Sequence, residues 1–250
     1  MSLQASVYVV NPIPVLTTTP HTSHNVWQPI STTLIYGQKE AILVDTAWSV
    51  AQSEDLVDWL YANLEGRNLT TIYVTHGHGD HFFGGHTLKK HFPHVKMVAT
   101  AHTVKHMQQQ IVPSYFASFW ESILPAAQLG NQTELLAEAL PDDGKTYLEG
   151  HLIHAIEVGQ GDTYASTVIH VPSLKLVVCG DVVYGHAHQW LLETPTPELM
   201  EDWIASIESI EALRPEIVIA GHKKPNEVVR INPRALNVLL LTRKRMERIT

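Results

Sequence analysis

The segment Thr75-His76-Gly77-His78-Gly79-Asp80-His81 constrains this chain more than any other. It packs three imidazoles and a carboxylate into one short turn, directly after the apolar run Ile72–Thr75. A loop leaving a strand end can present side chains at a sheet edge. Imidazole nitrogen and carboxylate oxygen are suitable ligands for zinc, and also for iron or manganese. The glycines are expected to let the loop turn sharply enough for those side chains to converge. Histidine is abundant throughout, at 16 residues, most of them between His76 and His188.

The segment resembles the signature of the metallo-β-lactamase superfamily, His-x-His-x-Asp-His after a strand, and matches it at all four positions. The resemblance implies a four-layer αββα sandwich, with two mixed sheets flanked by helices, and a hydrolase with two divalent metal ions. Zinc is the first expectation, with iron or manganese as alternatives. It also implies further ligands downstream. Cys179-Gly180-Asp181 fits the family's Gly-Asp landmark, so Asp181 would bridge the metals. Ala220-Gly221-His222 fits the late Gly-His landmark, so His222 would be the last ligand. Leu43-Val44-Asp45-Thr46 fits the early strand ending in Val-Asp, and Asp45 would then orient a ligand loop.

One landmark departs from the family pattern. Where the family has a histidine in a Gly-His-Thr/Ser turn, this chain reads Gly159-Gln160-Gly161-Asp162-Thr163. Counting back from the strand Thr167–Val171 and Pro172 puts Asp162 in that place. The expected set is therefore His76, His78 and Asp162 on one metal, and Asp80, His81 and His222 on the other, with Asp181 between. Gln160 is the weaker alternative ligand, and capping of the turn is the structural alternative for Asp162.

The implied reaction is hydrolysis of a lactone, thioester, ester or lactam carbonyl in a small molecule. Water activated by the metals attacks, and Asp80 orients it. In β-lactam-hydrolysing relatives the bridging position is cysteine, and a lysine three residues on anchors the drug's carboxylate. Here those positions are Asp181 and Tyr184, which favours other carbonyl substrates. Tyr184, His186, His188 and Trp190, in the loop after Asp181, are the expected substrate contacts. His21, His24 and Trp27 are read as surface residues, with a flap over the pocket as the alternative. His102 and His106 share a helix face, read as solvated. His170 is read as a core residue, and Lys223 and Lys224 as exposed. Phe82 and Phe83 line the entrance or pack under the loop.

The rest of the pattern supplies the frame. Val7–Val10, Thr33–Tyr36, Ala41–Val44, Ile72–Thr75 and Lys96–Ala99 read as strands in the first half. Leu152–Glu157, Thr167–Val171, Leu174–Cys179 and Ile217–Ala220 read as strands in the second. Ser49 and Gln52 form a capping box for a helix ending near Gly66. Thr196-Pro197-Glu198 opens another helix, and Asn232–Pro233 opens the last. The region from His102 to about Ala139 reads as mostly helical, a helical insertion at about 102–145 within one domain spanning 1–250.

Composition narrows the partners. A net charge of −8 makes nucleic acid a poor partner, and the basic stretch Arg230 to Arg248 reads as one helix face. A single cysteine, Cys179, requires no oxidising compartment. Neither a signal peptide nor a membrane span is read, so a cytoplasmic protein without membrane contact is the expectation. The run Val238–Leu241 gives a weak reason to expect a homodimer. The rival reading from another class is an iron-dependent oxygenase or redox protein on the same fold, with His76, His78 and Asp162 as a facial triad. A nuclease and a non-catalytic binding module are the remaining alternatives.

Overall fold

The computed structural model describes residues 2–16 and 26–224, together with Lys244 and Arg248. The expectations for His21, His24, the helix from Asn232 and the run Val238–Leu241 lie outside the described residues.

Two sheets pack face to face. The first has the order β1 (Gln4–Val9), β4 (Ser31–Tyr36), β5 (Glu40–Val44), β6 (Asn68–Tyr73), β7 (Lys96–Ala99), β8 (Ala137–Ala139). The second has the order β13 (Ile217–Ile219), β12 (Leu176–Val178), β11 (Ser166–Val171), β10 (His151–Gly159), β9 (Lys145–Leu148). A small ribbon pairs β2 (Ile13–Pro14) with β3 (Val26–Trp27). The period-2 alternation of side chains divides each central strand between two cores. Ile35, Ile42, Val44 and Tyr73 face Ile153, Ile169, Val171, Val178 and Ile219 between the sheets. Leu34, Leu43, Ile72 and Val74 face outward and join Leu56, Leu60, Leu88 and Met107. Those residues belong to α1 (Val50–Leu64), α2 (Gly85–His91) and α3 (Ala101–Gln110). On the far side, Val168, Val177 and Val218 are covered by Met200, Trp203, Ile207 and Ile210 of the helix Pro197–Ala212. The layers are therefore α, β, β, α, each sheet buried on both faces.

The caps read from sequence form. Ser49 Oγ accepts from Gln52 N at 3.2 Å and starts α1; Thr196 and Pro197 start the long helix Pro197–Ala212. The region from His102 differs from its sequence reading. It is helical in short pieces to Leu129, but then contributes β8 to the edge of the first sheet and β9 to the edge of the second. Both are short edge strands with little alternation, which periodicity cannot separate from loop. Among the described residues no helix is long and apolar enough to cross a membrane.

Glu149, in the β9–β10 turn, ties the sheets together. Its carboxylate accepts backbone N–H groups of Gln38, Lys39 and Glu40 at 3.0, 2.6 and 3.0 Å. Those bonds favour the charged form and hold its pKa down at about 2. A carboxyl depressed in the folded state stabilises it above the ordinary glutamate value, and that contribution is lost as the pH falls toward 2. The parent chain is therefore expected to exceed Glu149→Gln in urea stability at pH 6–7, with the gap closing between about pH 4.5 and 2. A gap independent of pH would contradict this role.

Candidate metal centre

The site gathers where loops leave the carboxyl ends of parallel strands. β5 and β6 run parallel in one sheet, β12 and β13 in the other. Asp45 follows β5, the His76–His81 turn follows β6, Asp181 follows β12 and His222 follows β13. The two edges are stitched together just before the motif, where Thr167 of β11 donates to the Thr75 carbonyl from both N (2.9 Å) and Oγ1 (2.6 Å). A bulge in β10 between Glu157 and Gly159 precedes the turn that carries Asp162.

The seven expected ligands, His76, His78, Asp80, His81, Asp162, Asp181 and His222, are all buried and converge. The potential ligand atoms of His76, His78 and Asp162 lie within 4.8 Å of one another, as do those of Asp80, His81 and His222. Those of His76, His81 and Asp181 form a group that spans the two. His78 Nδ1 is 2.9 Å from Asp162 Oδ2; His222 Nε2 is 3.1 Å from Asp181 Oδ2 and 3.6 Å from Asp80 Oδ2; His81 Nε2 is 3.3 Å from Asp181 Oδ1. Ligands about 2.1 Å from a tetrahedral ion are separated by roughly 3.4 Å, so this spacing suits cations. His76 Nε2 and Asp162 Oδ1 are buried with no partner, and the buried His81 Nε2 and Asp181 Oδ1 meet at 3.3 Å without hydrogen-bond geometry. Buried polar atoms seldom stay unpaired, and these four belong to the residues of the cage. The donor set fits divalent metal.

Each imidazole is oriented by its outward nitrogen. Asp45, itself in the left-handed region at φ 61°, accepts from Thr75 N and Thr75 Oγ1, both at 2.8 Å, and from His81 Nδ1 at 3.1 Å. Thr75 Oγ1 in turn lies 3.1 Å from His76 Nδ1, and His222 Nδ1 lies 2.9 Å from the Pro29 carbonyl. With those nitrogens donating, Nε2 of all three rings is left for the centre. Trp27, which the sequence reading leaves at the surface, donates its indole N–H to Asp80 Oδ2 at 2.9 Å.

The metal-free electrostatics follow from this crowding. Burial lowers the pKa of His81, but Asp181, Asp80 and Asp45 outweigh it, so His81 is held well above the ordinary histidine value. Burial raises Asp181, and His222 and His81 outweigh that, keeping it well below the ordinary range. Asp162 is pushed up to about 6, mainly by burial, against the pull of His78. His76 is lowered, first by burial and then by His81.

The glycines act differently from the sequence expectation. Neither Gly77 nor Gly79 has a positive φ. They are required by close approach: a Cβ on Gly77 would stand 2.3 Å from His106 Nδ1, and one on Gly79 2.2 Å from the Phe83 ring. Phe82 and Phe83 thus pack under the loop, both buried. His106 is also buried, against the solvated reading, with Nε2 3.0 Å from Gln110 Nε2 and its ring on Tyr164. His102 is exposed and meets Glu157. His170 is half-buried, a correction to its core reading. Gln160 turns away and donates to Thr194 Oγ1 at 3.0 Å, leaving Asp162 as the residue of that turn at the centre.

A cavity of about 350 Å³ opens onto the cage. Its floor includes His78, Asp80, Asp162, Asp181, Tyr184 and His222; its walls include Trp27, Tyr115, Phe119, Trp120, Trp190 and Leu192. Of the four expected substrate contacts, Tyr184 and Trp190 line it, whereas His186 and His188 do not. Both histidines are exposed, and the His188 backbone is held by the Gln28 side chain through paired 2.9 Å bonds. Lys223 is buried, against its exposed reading, and Lys224 is exposed; neither lines the cavity. Glu193, which the sequence reading passes over, does line it.

The family model described as Metallo-beta-lactamase superfamily matches residues 25–222. The chain belongs to the metallo-β-lactamase superfamily. Solved structures of similar fold include the DIM-1 metallo-β-lactamase exposed to ceftazidime, at 18% identity and TM-score 0.67, covering 100% of this chain and 99% of that one. The metallo-β-lactamase from Pontibacter korlensis is similar at 16% identity and TM-score 0.64, covering 98% and 99%. The mono-zinc form of FIM-1 from Pseudomonas aeruginosa is similar at 16% identity and TM-score 0.61, covering 95% and 96%. No curated protein sequence matches the chain. In this superfamily member the cage is built from four imidazoles and three carboxylates.

Proposed function

We propose that this chain is a dinuclear metal-dependent hydrolase acting on a neutral ester, thioester, lactone or amide with an apolar acyl group. The observation that carries the reading is the buried convergence of four imidazoles and three carboxylates, with His76 Nε2 and Asp162 Oδ1 left without a partner. His76, His78 and Asp162 would hold one ion, Asp80, His81 and His222 the other, with Asp181 between them. When bound, the two divalent cations would supply the Lewis acidity that polarises a carbonyl and ionises water. Zinc suits the imidazoles; the three carboxylates also suit manganese or iron.

The chain's own residues define the rest. Asp80, fixed by the Trp27 indole, would orient the attacking water on the cavity floor. The Tyr184 hydroxyl donates to Asp181 Oδ2 at 2.6 Å. Burial, then Asp162 and Asp181, push its pKa far up, so it keeps its proton and holds the Asp181 carboxylate in place with it. The aromatic walls would bury an apolar group. Among the described residues no lysine or arginine lines the cavity, while Glu193 does. Beside the metal ions, a carboxylate-bearing substrate would meet the Glu193 carboxylate with no lysine or arginine among the described lining residues to anchor it, and those residues offer a nucleic acid no basic groove.

Reconstitution tests this reading. Two equivalents of metal per chain are expected by elemental analysis. Hydrolysis should be lost on chelation and restored by metal, with kcat/KM at least about tenfold higher for neutral apolar esters or lactones than for carboxylate-bearing lactams. A metal-loaded chain inactive across an ester, lactone, thioester and lactam panel would sink it; one bound iron with redox activity would favour the oxygenase alternative.

A further inference from the structure

Glu193 stands apart from the motif in sequence but touches two parts of the cage. Its Oε1 lies 3.1 Å from His78 Nε2, and its Oε2 accepts from Thr163 Oγ1 at 2.6 Å. Thr163 follows Asp162 in the chain, and Asp162 Oδ2 lies 2.9 Å from His78 Nδ1. One carboxylate therefore closes a loop of contacts through His78, Asp162 and Thr163.

The other three imidazoles show what such a contact does. His76, His81 and His222 each turn Nε2 inward and spend Nδ1 on Thr75, Asp45 or Pro29. His78 is reversed: Nδ1 faces Asp162, and Nε2 is the outward atom. A neutral imidazole carries its proton on one nitrogen and its ligating lone pair on the other. An acceptor at the outward nitrogen thus decides which atom can take a metal. For His78 that acceptor is Glu193.

We infer that Glu193 is a positioning residue for the ion held by His78 and Asp162. It accepts a hydrogen bond from His78 Nε2–H, leaving Nδ1 to the metal, and through Thr163 it fixes the turn that carries Asp162. The role rests on the dinuclear reading and concerns one half of it, because Asp80, His81 and His222 make no contact of this kind with Glu193.

The test is metal titration of the apo chain with Co²⁺ against a competing chelator, followed by visible spectra, for the parent, Glu193→Ala, Glu193→Gln and Thr163→Val. In E193A one of the two binding constants should fall about 10- to 100-fold, with altered Co²⁺ bands from that site, while the other stays unchanged. E193Q should recover part of the loss, because its amide oxygen still accepts a hydrogen bond from Nε2–H. T163V should show a smaller loss at the same site. If E193A does not fold, E193Q and T163V carry the same comparison. Unchanged constants and spectra in E193A, or equal weakening of both sites, would overturn the role alone. A parent chain that takes up no metal would overturn the dinuclear reading together with it.

Discussion

Asp181→Asn is expected to weaken both ions at once, where a change at any other ligand weakens chiefly one. The carboxylate lies between the two ligand groups, 3.3 Å from His81 Nε2 and 3.1 Å from His222 Nε2, and it forms a ligand cluster with His76 and His81. Asparagine keeps its size and removes its charge. Breaking a buried charge pair by neutralising one partner costs about 3–5 kcal/mol, which corresponds to roughly 10²- to 10⁴-fold in affinity. The change also alters the acceptor of the Tyr184 hydroxyl. Competition titration should therefore show both constants reduced, and kcat/KM should fall at least as far even at saturating metal. A D181N chain that binds two ions with parental constants would remove Asp181 from the cage.

Much of this candidate centre is legible in the sequence because most of its residues are announced by a strand end. The apolar run before His76, the Val44-Asp45 step, Gly180-Asp181 and Gly221-His222 are all local patterns, and the fold needs only to bring four strand ends to one edge. Gly221 shows how tight that edge is: a Cβ there would stand 2.0 Å from Asp181 Oδ1. The four-layer arrangement is legible for a related reason, since strands buried on both faces read as apolar runs.

What sequence cannot reveal is set by packing across long separations. Glu193 is one of 25 acidic residues, in a loop without periodicity, and only the fold brings it to His78. Trp27 reads as an aromatic near a polar stretch, yet it packs against Trp48 at 4.8 Å and Trp120 at 6.0 Å and reaches Asp80. His102 and His106 share a helix face in principle, but the motif loop covers only the second. β8 and β9 gain their strand character from neighbours rather than from their own alternation, a case of tertiary context overriding local pattern.

Asp162→His is expected to move the pH–rate profile toward acid, and this tests what distinguishes the centre. On the dinuclear reading two divalent ions would bring four positive charges; Asp80, Asp162 and Asp181 would offset three, whereas a histidine at 162 would leave two uncompensated. A unit charge about 4 Å away at an effective dielectric of ~20 is worth roughly 4 kcal/mol, and about 1.4 kcal/mol shifts a pKa by one unit. Partial screening brings the expected change to about one to two units, so the parent should gain activity at alkaline pH and D162H should reach its plateau earlier. Asp162→Asn separates charge from bulk: it removes the same charge at nearly the same size but leaves a poorer ligand, so it should show the same acid shift at saturating metal, with weaker binding on the His76–His78 side. The imidazole must also fit beside His78 and Tyr184, which lie 2.9 and 3.4 Å from Asp162 Oδ2, and metal content measured alongside the profile shows whether it does. A D162H chain with two ions bound and the parental pH profile would mean that Asp162 contributes no charge to the reaction centre.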